Sequence, residues 1–277
     1  MRLFLVVSSL CLFLLSCGGE KKVVGDAEPV AEPVDSMMTD STEMMADEEV
    51  SDEYSHADEY FSDFIYSFTE NERFQRSRVV FPLTINKDSV KTGMDRKSWK
   101  FLPLGNESDV YTIVYGDRKA MDIEKEVSLD SVTMCHLNFQ EHTLINYIFK
   151  RQDRRWMLSE IVQSETDDFR DYEFMAFFQQ FASDSLFQYN HVNTMVQFVM
   201  TEMEEGVGDM SGTLEKSQWT VFRPEMPQDE FFIIDYGQSL QDNQHRLLTL
   251  QGRSNGYVIL LFFRKTHEGW MLYRYEY

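Results

Sequence analysis

Cys135, His136 and His142 bring a thiol and two imidazoles into one short run. The chemistry open to them is metal ligation or, for Cys135, attack by a thiolate. The local pattern supports neither. Ser131–Phe139 reads as a strand, where adjacent side chains point to opposite faces, so Cys135 and His136 diverge. The step to His142 matches no zinc-ligand spacing. Cys135 sits in an alternating run and reads as a small buried hydrophobe. Asp117, Asp235, Arg78 and His191 flank strands or follow helices. A carboxyl buried among apolar residues would have a raised pKa and could serve as a general base. Their positions instead favour surface or strand-end roles. Trp99 and Trp219, with Arg78 and His191 at matched positions, are the candidate lining of a pocket for an apolar ligand. Core filling is the stronger reading of the two tryptophans. Met37, Met38, Met44 and Met45 suggest copper, but they lack Met-x-x-Met regularity or a histidine. The sequence holds no Gly-x-Gly-x-x-Gly, no phosphate loop and no Gly-x-Ser-x-Gly elbow. The expectation is therefore no catalytic residue, no cofactor and no metal.

The elements that must position these residues come in two series. Tyr257–Tyr277 reads as apolar strand, basic residue, polar hairpin, then Trp270-Met271-Leu272. Ile145–Ile161 says the same with Phe149, Lys150 and Trp156-Met157-Leu158. Phe61, Phe64, Ile65 and Phe68 fall at i, i+3, i+4 and i+7, the stripe of an amphipathic helix. Phe61, Phe64, Phe68, Phe74, Gln75 and Val79 recur at one constant offset as Phe174, Phe177, Phe181, Phe187, Gln188 and Val192. Trp99 is answered by Trp219, and Tyr115-Gly116 by Tyr236-Gly237. Strands are expected at Pro82–Asn86, Trp99–Leu102, Val110–Tyr115, Ser131–Phe139, Leu144–Lys150 and Trp156–Gln163. Thr166 or Asp167 is expected to cap the helix of the second series. In the last strand, period two puts Trp270, Leu272, Arg274 and Glu276 on one face and Met271, Tyr273, Tyr275 and Tyr277 on the other. The unreduced apolar run Val258–Phe263 requires cover on both faces. The pattern predicts an α+β fold written twice: residues 59–164 and 165–277, each with helices packed on a curved antiparallel sheet.

Composition sets the address. The formal charge is −21, which excludes nucleic acid as a partner, because phosphates demand Lys- and Arg-rich surfaces. Arg2 and the apolar run Leu3–Leu15 form a targeting segment too short to span a bilayer. It ends Leu14-Leu15-Ser16-Cys17-Gly18, which resembles a bacterial lipobox. The resemblance implies cleavage before Cys17, diacylglycerol in thioether linkage on its sulfur, and a further acyl chain on the new N-terminus. Acyl chains of that number hold a protein on a membrane, each buried methylene contributing about 0.8 kcal/mol. Gly18 after the cysteine resembles the outer-membrane pattern. Residues 1–17 are thus read as signal and lipobox. Residues 18–58 are read as a disordered tether, dense in Asp and Glu against Lys21 and Lys22, with Pro29 and Pro33. Cys11 leaves with the signal and Cys17 carries lipid, so Cys135 has no disulfide partner.

The helix stripe, the Phe81-Pro82-Leu83 segment after the second helix and the terminal Trp-Met-Leu hairpin resemble the nuclear-transport-factor-2-like (NTF2-like), cystatin-like superfamily. There a long helix packs into a strongly curved, cone-shaped sheet. The whole chain is similar to a Bacteroidetes lipoprotein family, domain of unknown function 4348. The superfamily includes isomerases and dehydratases that set Asp or His beside Tyr in the cone. The resemblance implies two tandem cones but no particular activity. The leading expectation is a lipid-anchored, non-catalytic binding or interaction module of the cell envelope, taking a small apolar ligand or a protein. The alternatives are a small-molecule isomerase or hydrolase with a site in one cone, and a structural homo-oligomer joined through the sheet faces.

Overall fold

The structure, a computed structural model, describes residues 57–200 and 210–277. The expected signal, Cys17 and the paired methionines lie outside the described residues, as does the expected tether except for Ala57 and Asp58. Those two residues belong to the fold: Ala57 is buried, and Asp58 is gripped by Arg78.

The helical stripe forms where its spacing predicts. Helix α1 (Phe61–Glu70) buries Phe61, Phe64, Ile65 and Phe68. Asn71 separates it from α2 (Glu72–Ser77): its backbone is extended and its Oδ1 accepts from the Phe74 amide at 2.9 Å, serving a donor the helix cannot satisfy itself. Helices α3 (Tyr172–Ser183) and α4 (Ser185–Asn190) repeat the plan. Asp184 takes the part of Asn71, its Oδ1 accepting from the amides of Leu186 and Phe187 at 2.8 and 3.0 Å. Neither Thr166 nor Asp167 caps α3. Both lie in a separate 3-10 turn, and the residue before α3 is Asp171. Phe169 between them is buried in the core, so the chain makes an extra turn before the helix begins.

Among the described residues, twelve strands accompany these helices. The first series supplies β1 (Val79–Lys87), β2 (Val90–Met94), β3 (Val110–Tyr115), β4 (Ser131–Asn138), β5 (Thr143–Gln152) and β6 (Arg155–Glu165). The second supplies β7 (Val192–Met200), β8 (Met210–Glu215), β9 (Glu230–Asp235), β10 (His245–Gly252), β11 (Val258–Thr266) and β12 (Gly269–Glu276), with one short helix, α5 (Trp219–Phe222), between β8 and β9. They form one sheet in the order β2-β1-β6-β5-β4-β9-β3-β10-β11-β12-β7-β8. The sheet is mixed rather than antiparallel: β1 runs parallel to β6, β7 to β12, and β3 to β9. The first two pairings arise because each strand leaves its helix beside the start of a Trp-Met-Leu strand. The Leu158 amide donates to the Arg78 carbonyl at 2.8 Å, and the Leu272 amide to the His191 carbonyl at 2.9 Å.

Trp99–Leu102 is not a strand. The amide of buried Gln75 takes the place of a neighbouring strand, accepting from Leu102 N and donating to Leu102 O, both at 2.8 Å. Strand β2, in contrast, has exposed side chains and no apolar alternation to announce it.

Because strand side chains alternate, the sheet carries a core on each face. Tyr111, Ile113 and Tyr115 of β3 join α1, α2, Phe149, Trp156 and Leu158 on one face. Val110 and Val114 of the same strand join α3, Phe263, Trp270 and Leu272 on the other. Strand β9 does likewise, with Phe232 and Ile234 in the first core and Phe231 and Ile233 in the second. The boundary expected at 164/165 therefore does not separate the cores; each draws on both sides of it. The last strand also departs from strict period two. A bulge between Phe262 and Phe263 in the β11–β12 register leaves Tyr273 as the extra residue. It turns Tyr275 into the core of Trp270 and Leu272 and splits the expected tyrosine face.

Candidate functional site

Strand β3 ends in Tyr115, which is fully buried. The chain then turns at Gly116-Asp117 and enters a 3-10 segment, Lys119–Lys125. Asp117 Oδ1 accepts from the Ala120 amide at 2.9 Å and holds the start of that segment. Ala120, Met121 and Ile123 pack onto the core. This leaves Glu124 half-buried, with its Oε1 accepting from the Tyr115 hydroxyl. Burial raises the Glu124 pKa, and the Tyr115 hydrogen bond and Lys125 oppose that rise. Tyr236 lies near the same carboxyl, buried and without a hydroxyl partner. Burial first, then the Glu124 charge, pushes its phenol well above the ordinary range.

Glu124 opens onto a cleft of about 730 Å³ with Tyr60, Met121 and Val258 among its apolar lining. Thr249 of β10 also lines it. That residue is 2% exposed, and its Oγ1 has no hydrogen-bond partner. An unpartnered buried hydroxyl costs about 1–3 kcal/mol. Arg118 stands at the rim, but its guanidinium is held by Glu276, which also accepts from Arg274 Nε at 2.5 Å. The remaining rim charges, Asp122 and Lys125, oppose one another. An apolar cleft with a few convergent polar groups, one of them with a shifted pKa, is the usual form of a small-molecule site.

Two other clefts offer less. One of about 690 Å³ includes Asn106, Arg223 and Asp229, but Asp229 is committed to Gln140 and Gln179 at 2.8 and 3.0 Å. One of about 480 Å³ includes Arg170, Arg246 and Lys265, whose charges are met by Asp235, Asp171 and Glu173.

Residues 38–277 match the model of the family described as Domain of unknown function (DUF4348). The chain belongs to the DUF4348 family. Its structure is similar to the crystal structure of an NTF2-like protein from Bacteroides fragilis NCTC 9343. The two share 35% sequence identity with a TM-score of 0.72, over 79% of this chain and 96% of that one. The fold of this DUF4348 chain is accordingly α+β and NTF2-like. No functionally curated protein matches it.

The residues singled out in this DUF4348 sequence are not brought together. Trp99 packs beside Phe81 on one face of the sheet. Trp219 is buried on the other, against Phe181 and Tyr275. Arg78 is a structural cation: it donates twice to Asp58 at 2.9 Å and covers the Phe74 ring at 4.6 Å. His191 stacks on Phe187 at 3.9 Å, with Nδ1 2.8 Å from the Phe187 carbonyl. None of the four lines the clefts described above. Cys135 is buried and its thiol pKa is pushed up by burial. His136 faces the other way, stacked on Phe232 at 4.5 Å with Nε2 2.6 Å from Glu230 Oε1. Among the described residues no group of three His, Cys, Asp or Glu side chains is placed to hold a metal ion. Asp235 ends β9 by accepting from the Gly237 amide at 2.8 Å. Tyr115 and Tyr236, matched by sequence, are not equivalents: both enter the same core. Sequence reasoning missed Glu124 and Thr249. Glu124 lies in a run of mixed charge, and Thr249 is a β-former in an apolar strand, so neither carries a signal of its own.

Proposed function

We propose that this protein is a lipid-anchored, non-catalytic binding module of the bacterial cell envelope, held at the outer membrane through acyl chains on Cys17. Residues 18–56 serve as the leash, and the cleft beside Glu124 is the binding site. The observation that carries the binding role is the cleft itself, about 730 Å³, with the Glu124 carboxyl beside Tyr60, Met121 and Val258. The anchor rests on Leu14-Leu15-Ser16-Cys17.

The reading extends to the architecture, one α+β unit written twice at 59–164 and 165–277. Recurring contacts support it. Phe61 meets Trp156 at 5.2 Å and Phe174 meets Trp270 at 5.2 Å, both edge to face. Phe68 meets Phe149 and Phe181 meets Phe263, again each at 5.2 Å and near perpendicular. The strand order also reads alike from either edge when each strand is exchanged for its counterpart. The second reading, a small-molecule isomerase, is favoured by one observation: the Tyr115–Glu124 hydrogen bond at the cleft, a carboxyl whose raised pKa suits proton transfer.

Membrane fractionation tests the anchor. The unaltered chain is expected in the membrane fraction and Cys17→Ala in the soluble fraction. A Cys17→Ala chain that still sediments with membranes overturns it.

A further inference from the structure

The two series differ where their second helices meet solvent. At the offset that matches Phe74 with Phe187 and Gln75 with Gln188, Arg73 and Arg76 of α2 answer to Leu186 and Tyr189 of α4. All four are exposed, Leu186 by 71%. The fold asks nothing apolar of these positions, because the first series fills them with arginine. The neighbouring segment diverges in the same direction. Counted from the matched tryptophans, Phe101 and Leu102 answer to Val221 and Phe222. Phe101 and Leu102 are half-buried, and the Gln75 amide holds the Leu102 backbone. Gln188 instead accepts from Arg223 Nη1 at 2.9 Å. The segment there winds into α5, with Val221 79% exposed and Phe222 also exposed. The Gln188–Arg223 bond joins α4 to the end of α5, and Lys216 Nζ lies 4.5 Å from the Tyr189 ring centroid. The two helices are therefore neighbours and carry one exposed apolar patch, the kind of surface that marks a contact site.

The charges around the patch select its partner. Glu215 and Lys216 precede α5, and Arg223 and Glu225 follow it. None of the four enters an ion pair among the described residues. Two acids offset two bases, so an anionic lipid surface, which draws an excess of Lys and Arg, gains nothing here. A second copy does gain. Lys216 and Arg223 of one copy can face Glu215 and Glu225 of the other, as a twofold contact between identical patches allows. The formal charge of −21 sets copies against each other elsewhere, and the balanced rim removes that repulsion locally. The two cores already cover the centre of the sheet on both faces, so the contact runs through helices rather than through the sheet faces. We infer that two copies of this chain pair through Leu186, Tyr189, Val221 and Phe222, with the four charged residues at the edge of the contact. This pairing is separate from the Glu124 cleft and from the anchor.

Sedimentation equilibrium of the full chain tests this, in a mild detergent matched in density to the solvent so that micelles add no buoyant mass. A reversible dimer is expected. Leu186→Arg combined with Tyr189→Arg gives α4 the residues that α2 carries. It is expected to raise the dissociation constant about a hundredfold, the effect of losing two buried apolar side chains. Val221→Asp is expected to weaken the dimer from the other segment. Tyr66→Arg, which replaces an exposed aromatic residue outside the patch, should leave the dimer intact. A thermal melt of each variant checks that the fold is retained, and the exposure of all these positions favours that. A chain that stays monomeric up to its solubility limit overturns the inference. A dimer that survives the substitutions at Leu186, Tyr189 and Val221 also overturns it, because the contact then lies elsewhere. A monomer whose amide exchange at 185–190 and 219–222 slows on transfer from detergent to phosphatidylglycerol vesicles overturns it in favour of a lipid surface.

Discussion

Glu124 is held by one neighbour, the Tyr115 hydroxyl, in a setting that disfavours its charge. Its folded-state pKa lies above the ordinary 4.5, so the folded protein keeps this proton to higher pH than the unfolded chain does. The sign follows from linkage: the native state binds more protons, so the group takes stability away as pH rises through that window. Glu124→Gln keeps an acceptor for Tyr115 and removes the titration. The variant is expected to equal or exceed the unaltered protein in stability. Its advantage should grow as pH rises from about 4.5 and level off once Glu124 is ionised in both states. Urea unfolding at a series of pH values measures this; a difference that shrinks with rising pH would contradict it. Arg78 shows the opposite use of charge, since its pairing with Asp58 fixes the start of the fold. Asp58 also accepts from the Trp156 amide at 2.9 Å, tying the chain before α1 to β6.

At the scale of elements, the helix stripes and the Trp-Met-Leu strands are one device. Each tryptophan fills the space between a helix and the hairpin, and the ring geometry is the same on both faces of the sheet. Trp156 is 1% exposed and Trp270 5%. Removing a buried tryptophan costs about 3–5 kcal/mol through lost transfer energy and an unfilled cavity. Trp156→Ala and Trp270→Ala are both expected in that range by denaturant unfolding. Trp270 should fall at the lower end, because it borders an open cleft. A cost near zero for either would mean its hairpin is not seated on the helix.

Across the whole molecule, the central pair of strands decides how the halves depend on each other. β3 lies between β9 and β10, and β9 between β4 and β3. Residues 57–164 alone would lack Phe232 and Ile234, which belong to the core of α1 and α2. They would also expose Val110 and Val114, which belong to a core most of which lies after residue 164. That segment is expected to show no cooperative thermal transition by circular dichroism, whereas the full chain should unfold as one unit. A sharp transition in the isolated half would show that each core is self-sufficient.

The sequence by itself determined the local elements and their recurrence. Phe61 to Phe68 spells a helix because i, i+3, i+4 and i+7 share a face. Val110–Tyr115 spells a buried strand because every residue tolerates burial, and its bounds are those observed. The repeated Trp-Met-Leu placed two hairpins in matching surroundings. The tertiary structure decided what meets what. Periodicity says which face of a strand is buried but not which strand lies beside it, so the exchange of β3 and β9 across the centre left no trace in the sequence. The bulge that turns Tyr275 inward depends on the β11 register. The Glu124 cleft depends on a 3-10 segment being laid against β10, a contact between residues whose types and spacing say nothing of one another. Local chemistry is written along the chain, whereas a site assembled from distant segments exists only once those segments have packed.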